Sequence, residues 1–512
     1  MKQSLVAATL VTVGGNIFGR LFGYLREAVT AGYFGTSAAL DIFLIAFVIP
    51  EILTFIIFAA LPTSVIQSTA SGEPDDKRNK ALFWNGLFVL ATILLGITAG
   101  LVLFRHQIIQ LTAPELVGDS AVAAARLLGI AAAVVFFRGL EAYCRAWLFK
   151  QKHFVAPALA PIVLDLILIA WMMWGYESLK VEVLAYGWLT ASAVLFLIHA
   201  GIVAAVVKPG VPWRQDGVSV KPLLRMTLAV AAVESASLVF PAIDRYLAIR
   251  YLGEGEIAAL RYALFLAQVP PGMLVVTFAA AAFPWISDMA TSQPERLSEF
   301  YRETLRLVVF VIAPLALALI VFAPEVVSIA FKRGAFGEQS VLLTSGPLLC
   351  YALGLIFYGV YFYQIRYYYA RNLLSRLGLI LGSTLLLKLV ASAVLVRFLA
   401  ANGLALATSL AWLTTSVIMT IDLARNHQLR LSSDIAGWLL RMIISAAGAG
   451  AVWLLVRKFW PLSPESGLTL QFVWLILTGL CGFVVYIGLS FMLKMPEPTR
   501  VWAMLKSRFG KS

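Results

Sequence analysis

The chain has 512 residues, 61% hydrophobic and only 13% charged, with a formal net charge of +13. Soluble domains run near half apolar and a quarter charged, so a water-soluble enzyme or binding module is excluded. In a membrane protein the positive balance reports cytoplasmic loops held against anionic lipid, so nucleic acid is not an expected partner.

Apolar stretches of about 20 residues recur along the chain, each long enough to cross a hydrocarbon core of roughly 30 Å as a helix. Backbone groups in lipid must be satisfied within the segment, so helices are the spans such stretches make. In chain order the expected spans are 4–33, 39–68, 80–104, 122–148, 156–176, 183–207, 222–251, 256–287, 301–322, 341–369, 374–398, 403–424, 435–458 and 469–493. The predicted fold class is therefore an all-α polytopic membrane protein with about fourteen transmembrane helices. The first span follows Lys2 as a signal peptide would, but it lacks a small-residue cleavage site and leads straight to Arg20 and Arg26. It reads as a retained helix. Cys144, Cys350 and Cys481 are far apart, and the four histidines are scattered. No disulfide framework, metal site or catalytic group is expected.

Positive charge alternates between successive connections. Lys77, Arg78 and Lys80, then Lys150 and Lys152, Lys208, Arg214 and Lys221, Arg296 and Arg302, Arg371 and Arg376, Arg425 and Arg430, and the tail from Lys494 to Lys511 form the rich set. The connections carrying Arg105, Lys180, Lys332, Arg333, Arg397, Arg457 and Lys458 are poorer. The positive-inside rule then puts both termini in the cytoplasm.

An internal repeat is visible. Ala38-Ala39-Leu40-Asp41 precedes Pro50 as Ala258-Ala259-Leu260-Arg261 precedes Pro270, at an offset of 220 residues, and Trp147–Lys150 has a looser echo at Tyr368–Arg371. Six helices fit in that offset, so both copies enter the membrane from the same side, a parallel repeat. The expected organisation is an N-lobe over 1–220, a C-lobe over 221–430, and two added helices with a cytoplasmic tail over 431–512.

An ionised side chain at mid-bilayer costs roughly 2.5–3.5 kcal/mol on insertion scales, so those retained are functional candidates. The first helix holds Arg20 and Arg26 among Gly14, Gly15, Asn16, Gly19 and Gly23. Glycine lets a helix bend and a ligand approach its backbone. The two arginines lie about 120° apart on a straight helix, and a bend at Gly23 would turn them onto one wall. Planar guanidinium groups suit a diphosphate, which accepts bidentate hydrogen bonds. The competing reading is that Arg26 snorkels to an interface and pairs with Glu27. Glu234, Asp244 and Arg245 in the seventh span and Lys388 in the eleventh are candidates for ion or charge coupling, with Asp244 as the expected partner of Lys388. Asp41 and Arg261 hold equivalent places in the two repeats and form a candidate gate.

These stretches resemble the MurJ (MviN) family of the multidrug/oligosaccharidyl-lipid/polysaccharide exporter superfamily. The likeness rests on the run from Gly19 to Ala28, Phe34-Gly35 through Asp41 to Pro50, Ala156–Pro161, and Asp244-Arg245 with Leu252–Gly255 and Tyr262-Ala263. It continues through Phe283-Pro284, Arg333–Phe336 with Tyr351–Gly354, and Gly403–Ser409, in the family's order over roughly residues 1–430. The resemblance implies two six-helix lobes plus two C-terminal helices in a bacterial plasma membrane, with lipid II flipped by alternating access. It also implies diphosphate binding by Arg20 and Arg26, an outer gate at Asp41 and an ion-coupling carboxylate near Asp244. The chain departs from the family where Thr54 and Phe55 follow Pro50, and where Leu264-Phe265 follow Tyr262-Ala263, positions at which the family commonly carries charge.

The expected function is thus translocation of an undecaprenyl-diphosphate-linked glycan, lipid II first and an exopolysaccharide or O-antigen precursor second. No cofactor is expected beyond coupling to membrane potential or a monovalent cation, for which Lys388 is a candidate substitute. Membrane lipids and cell-wall synthesis proteins are the expected partners. A drug/cation antiporter fits less well, because Arg20 and Arg26 repel a cationic substrate. A glycosyltransferase fits poorly, because the loop pair Asp75-Asp76 is neutralised by Lys77 and Arg78. A fluorescent protein fused after Ser512 is expected to fluoresce, and alkaline phosphatase placed at Lys180 to be active. The reverse pattern would invert the topology.

Overall fold

The structure is a computed structural model and describes residues 5–70, 76–206, 219–371, 373–426, 434–462 and 466–500. Among them the regular elements are α-helices: α1 (Leu5–Phe34), α2 (Ala38–Ala70), α3 (Asp76–Leu103), α4 (Arg105–Thr112), α5 (Asp119–Lys150), α6 (Val155–Leu179), α7 (Glu182–Val206) and α8 (Lys221–Tyr251). Then come α9 (Glu256–Ser292), α10 (Pro294–Val321), α11 (Ala323–Phe331), α12 (Glu338–Ala370), α13 (Leu374–Asn426), α14 (Ile435–Phe459) and α15 (Leu468–Met492).

Apart from α4 and α11, each of these helices has at least 25 residues, about 37 Å at 1.5 Å per residue. That exceeds the hydrocarbon core. The 53 residues of α13 are interrupted at Ala400, whose backbone turns to φ 48° and ψ −130°. With its two arms counted separately, fourteen rods of membrane-crossing length lie among the described residues, in agreement with the fourteen expected spans. By length and composition together, ten helices qualify as spans, α13 counted once.

The repeat is carried by the helix boundaries. Ala38 and Glu256, Asp76 and Pro294, and Arg105 and Ala323 open α2 and α9, α3 and α10, and α4 and α11, each pair 218 residues apart. Apolar periodicity does not predict α4 or α11, which at eight and nine residues are too short to span, yet they occupy equivalent places. The hairpins correspond as well. Lys180 between α6 and α7 has φ 49° and ψ −126°, nearly the values at Ala400.

By its contacts the chain separates into two units, Met1–Ala258 with Arg333–Phe336, and Ala259–Lys332 with Gly337–Ser512. Helix α8 packs on α2 and belongs with the first unit. The centre of that unit is an aromatic knot in which Phe83 of α3 meets Tyr143 and Trp147 of α5. The Tyr143 hydroxyl donates to the carbonyls of Leu82 and Phe83.

On its other side α1 packs against α6 through a stripe of glycines one turn apart. A Cβ on Gly15 would stand 2.7 Å from the carbonyl oxygen of Ala158, one on Gly19 3.3 Å from Pro161, and one on Gly23 3.6 Å from the Asp165 carboxylate. Small residues at four-residue spacing bring membrane helices close, because lipid supplies no hydrophobic drive and contact distance sets the attraction. Gly15, Gly19 and Gly23 thus serve close packing, and α1 runs from Leu5 to Phe34 as one helix.

In the second unit α14 and α15 are bound to α10 and α11 by polar contacts that lipid cannot replace. The Tyr486 hydroxyl donates to the Phe310 carbonyl at 3.0 Å, and Arg457 of α14 pairs with Glu325 at 2.8 Å and donates to the Val321 carbonyl. Trp438 donates to Glu497 at 2.8 Å, and Arg500 pairs with Glu303.

Gly15→Leu is expected to force α1 off α6 and destabilise the protein by about 1–3 kcal/mol, the usual cost of overpacking. Thermal unfolding of the purified protein in detergent checks this, and an unchanged midpoint would contradict it.

Candidate functional site

The charged residues of α1 have two different fates. Arg26 Nη1 donates to Asp165 Oδ1 of α6 at 2.9 Å, and its Nη2 donates to Glu27 Oε1 at 2.8 Å. Its guanidinium also lies 5.7 Å from the ring centre of Trp188 on α7. Both carboxylates are buried, so this cation is neutralised within the protein. The Glu27 pairing appears as the competing reading held, and Asp165 joins it. Arg20, six residues earlier, is exposed and has no ion-pair or hydrogen-bond partner among the described residues. At 100° per residue it stands roughly 130° from the exposed stripe of Phe18, Leu21 and Leu25, so it does not share that apolar face. The two arginines have no common partner among the described residues.

At the opposite end of α1 three loops close on each other. Gly35, Gly255 and Gly334 all have positive φ, at 55°, 82° and 55°. A Cβ on any of them would run into a backbone carbonyl, that of Ala335, Thr36 and Gly32 respectively. Only glycine combines that backbone conformation with such an approach. The Ala335 amide donates to the Gly32 carbonyl at 2.8 Å, and Arg333 donates to the Tyr24 hydroxyl. Asp41 fastens the arrangement. Its buried carboxylate accepts from the amides of Gly255 at 2.6 Å and Ala258 at 2.8 Å. Those amides open α9, whose first N–H groups have no partner within the helix and carry its positive dipole end.

Arg261 is half-buried in the second unit. Arg245 of α8 pairs with Glu51 of α2 at 2.7 Å, and Asp244 beside it is half-buried. The side chain of Glu234 lies outside the described residues. Lys388 is fully buried and donates to Thr408 Oγ1 at 2.7 Å and Ser392 Oγ at 3.3 Å, joining the two arms of α13. Of the positions where the chain departs from the family pattern, Phe55 is exposed and the Thr54 hydroxyl is buried.

Sequence reasoning did not single out Asp165 or the buried Glu141 and His199, which lie 3.0 Å apart between α5 and α7. The signal was present, since Asp165 lies inside span 156–176 and Glu141 inside 122–148. What the sequence does not encode locally is the partner, 139 residues away from Asp165 at Arg26.

Removing the Asp41 carboxylate leaves two amides of α9 without their acceptor, a loss of about 1–3 kcal/mol for buried groups. In an otherwise cysteine-free chain, Asp41→Ala is expected to raise the rate at which a maleimide labels Thr36→Cys several-fold. An unchanged rate would show that Asp41 does not hold these loops shut.

A family model described as lipid II flippase MurJ matches residues 30–476. A probable lipid II flippase of Rhizobium tropici is 26% identical over 498 residues, covering 94% of this chain and 92% of that protein. The lipid II flippase MurJ of Burkholderia cenocepacia is 25% identical over 469 residues, covering 88% and 89%. Among solved structures, lipid II flippase MurJ in an inward closed conformation superposes with a TM-score of 0.79 at 20% identity, covering 93% of this chain and 98% of that one. An inward-facing multidrug resistance transporter of the MATE family gives 0.64 at 14% identity, covering 80% and 95%. The arrangement of long helices is therefore shared with these solved transporters, and with the family match running across nearly the whole repeat, this chain belongs to the MurJ family of lipid II flippases.

Proposed function

We propose that the chain carries lipid II, the undecaprenyl-diphosphate-linked precursor of peptidoglycan, from the cytoplasmic to the outer leaflet of the bacterial inner membrane by alternating access. It is a transporter, and no covalent step is required of it. Family membership favours lipid II over exopolysaccharide and O-antigen precursors and over drug antiport. The observation that carries the binding site is the contrast within α1, where Arg26 is neutralised by Asp165 and Glu27 while Arg20 is exposed and uncompensated. A guanidinium left without a carboxylate can meet a diphosphate bidentately with no ion pair to break first. In this reading Arg20 makes first contact, and Arg26 fixes the face that α1 presents and joins the diphosphate as the cycle proceeds.

Asp41, with Arg261, forms the gate on the non-cytoplasmic side, and both termini lie in the cytoplasm. The two lobes that move are residues 1–220 and 221–430, with 431–512 as an added pair of helices and a tail. The cycle draws on membrane potential or a monovalent cation, with Asp244, Arg245 and Glu234 as coupling groups. On this reading Lys388 substitutes for a bound cation, its ammonium tying the two α13 arms together through Thr408 and Ser392. Cell-wall synthesis proteins are the expected partners at the membrane.

In a strain depleted of its own lipid II flippase, the parent chain is expected to restore growth and Arg20→Ala to fail at equal membrane abundance. Arg26→Ala is expected to fail as well, with reduced abundance, because Asp165 is left buried without its cation. A parent that does not rescue moves the exopolysaccharide precursor ahead of lipid II. Full rescue by Arg20→Ala removes the diphosphate role.

A further inference from the structure

The first unit contains a second buried charge cluster that diphosphate binding does not use. Glu141 of α5 and His199 of α7 are both fully buried. Glu141 Oε2 accepts from Arg138 Nη1 at 2.9 Å, and Oε1 lies 3.0 Å from His199 Nδ1 without hydrogen-bond alignment. At that distance a bare Nδ1 would set its lone pair against the lone pairs of the carboxylate, so a proton belongs between them. His199 Nε2 has no hydrogen-bond partner among the described residues. With Nδ1 protonated, Nε2 is an unused base in an apolar setting, beside a carboxylate whose charge is already shared with Arg138.

Few other charges face this pair. From α2 and α3 the neighbours are apolar: Ile57, Phe58, Leu87, Leu90 and Leu94. Glu51 of α2 is occupied by Arg245. On α5 itself Arg138 lies 4.1 Å and Arg145 5.6 Å from the Phe58 ring centre, and the thiol of Cys144 is buried. Arg105 of α4 lies against Gly129, about three turns from Glu141, and Arg26 with Asp165 reaches α7 at Trp188, about three turns from His199. Arg138 bonds to Glu141 and Arg145 also acts on its charge, so with a neutral imidazole the cluster carries one net positive charge. One added proton raises that charge, which the membrane interior tolerates only beside Glu141.

We propose that Glu141 and His199 form a proton-binding site inside the membrane, with Nε2 of His199 taking up one proton from water in each translocation cycle and returning it to water. Because the pair joins α5 to α7, loading it changes the charge on their contact and so biases the conformation of this unit. The site stands on geometry alone, while its place in the cycle rests on the flippase reading above.

Replacing His106, His153 and His427 by Gln leaves His199 as the sole histidine of the full chain. With 15N-histidine in lipid nanodiscs, its ring resonances report protonation directly. With spectra recorded from roughly pH 8 down to pH 5, the imidazole is expected to become imidazolium as the pH falls. Glu141→Gln is expected to weaken proton binding roughly tenfold or more, because it removes the counter-charge. A ring that stays neutral across the range, or titrates alike in the two proteins, overturns the site. In proteoliposomes, lipid II translocation by the parent is expected to respond to an imposed pH gradient, and His199→Gln to lose that response. Translocation by the parent without any gradient response overturns the coupling and leaves the flippase reading intact. No translocation by the parent at all overturns the flippase reading and the coupling together, and the resonances then decide the proton site.

Discussion

A carboxylate inside a membrane helix must find a cation or give up its charge, and Asp165 finds Arg26. The contact requires α1 and α6 to approach closely over about two turns, which the absence of side chains at Gly15, Gly19 and Gly23 permits. Packing and charge are therefore one constraint. The glycine stripe brings the helices together, and the ion pair specifies which face of α1 meets α6. Arg20 is placed by that choice too, exposed and without a counter-ion among the described residues.

A similar economy governs the loops at the far end of α1. Three glycines at positive φ let backbones touch, and a single carboxylate, Asp41, satisfies the helix start that the touching loops expose. A contact built from backbone amides and one acceptor can open without stranding a side-chain cation in the membrane. Opening it breaks two hydrogen bonds to one carboxylate, whereas opening the Arg26 contact separates full charges in a buried setting.

Much of the fold was legible before any coordinates. The apolar stretches predicted fourteen rods, including the division of α13 near residue 400, and the offset of 220 between Asp41 and Arg261 lies close to the 218-residue spacing of helix starts. Length and apolarity in lipid are local properties, so sequence carries them plainly. The short α4 and α11 were invisible because neither is long or apolar enough to span. The site was legible only in part. Arg20, Arg26, Asp41 and Lys388 announced themselves as polar groups in apolar surroundings. Their partners did not, because Asp41 is answered by backbone amides that have no residue signature, and Lys388 by the hydroxyls of Thr408 and Ser392. The glycines of α1 were visible as a pattern, but whether they admit a ligand or a neighbouring helix is decided by what packs there.

On the proposed function, the uncompensated guanidinium of Arg20 recognises the diphosphate of the lipid carrier. Native mass spectrometry of the purified chain with lipid II tests it most directly, with a polyprenyl monophosphate as the comparison ligand. The parent is expected to retain lipid II in preference to the monophosphate, and Arg20→Ala to lose this preference. Equal retention of lipid II by the parent and Arg20→Ala would contradict it.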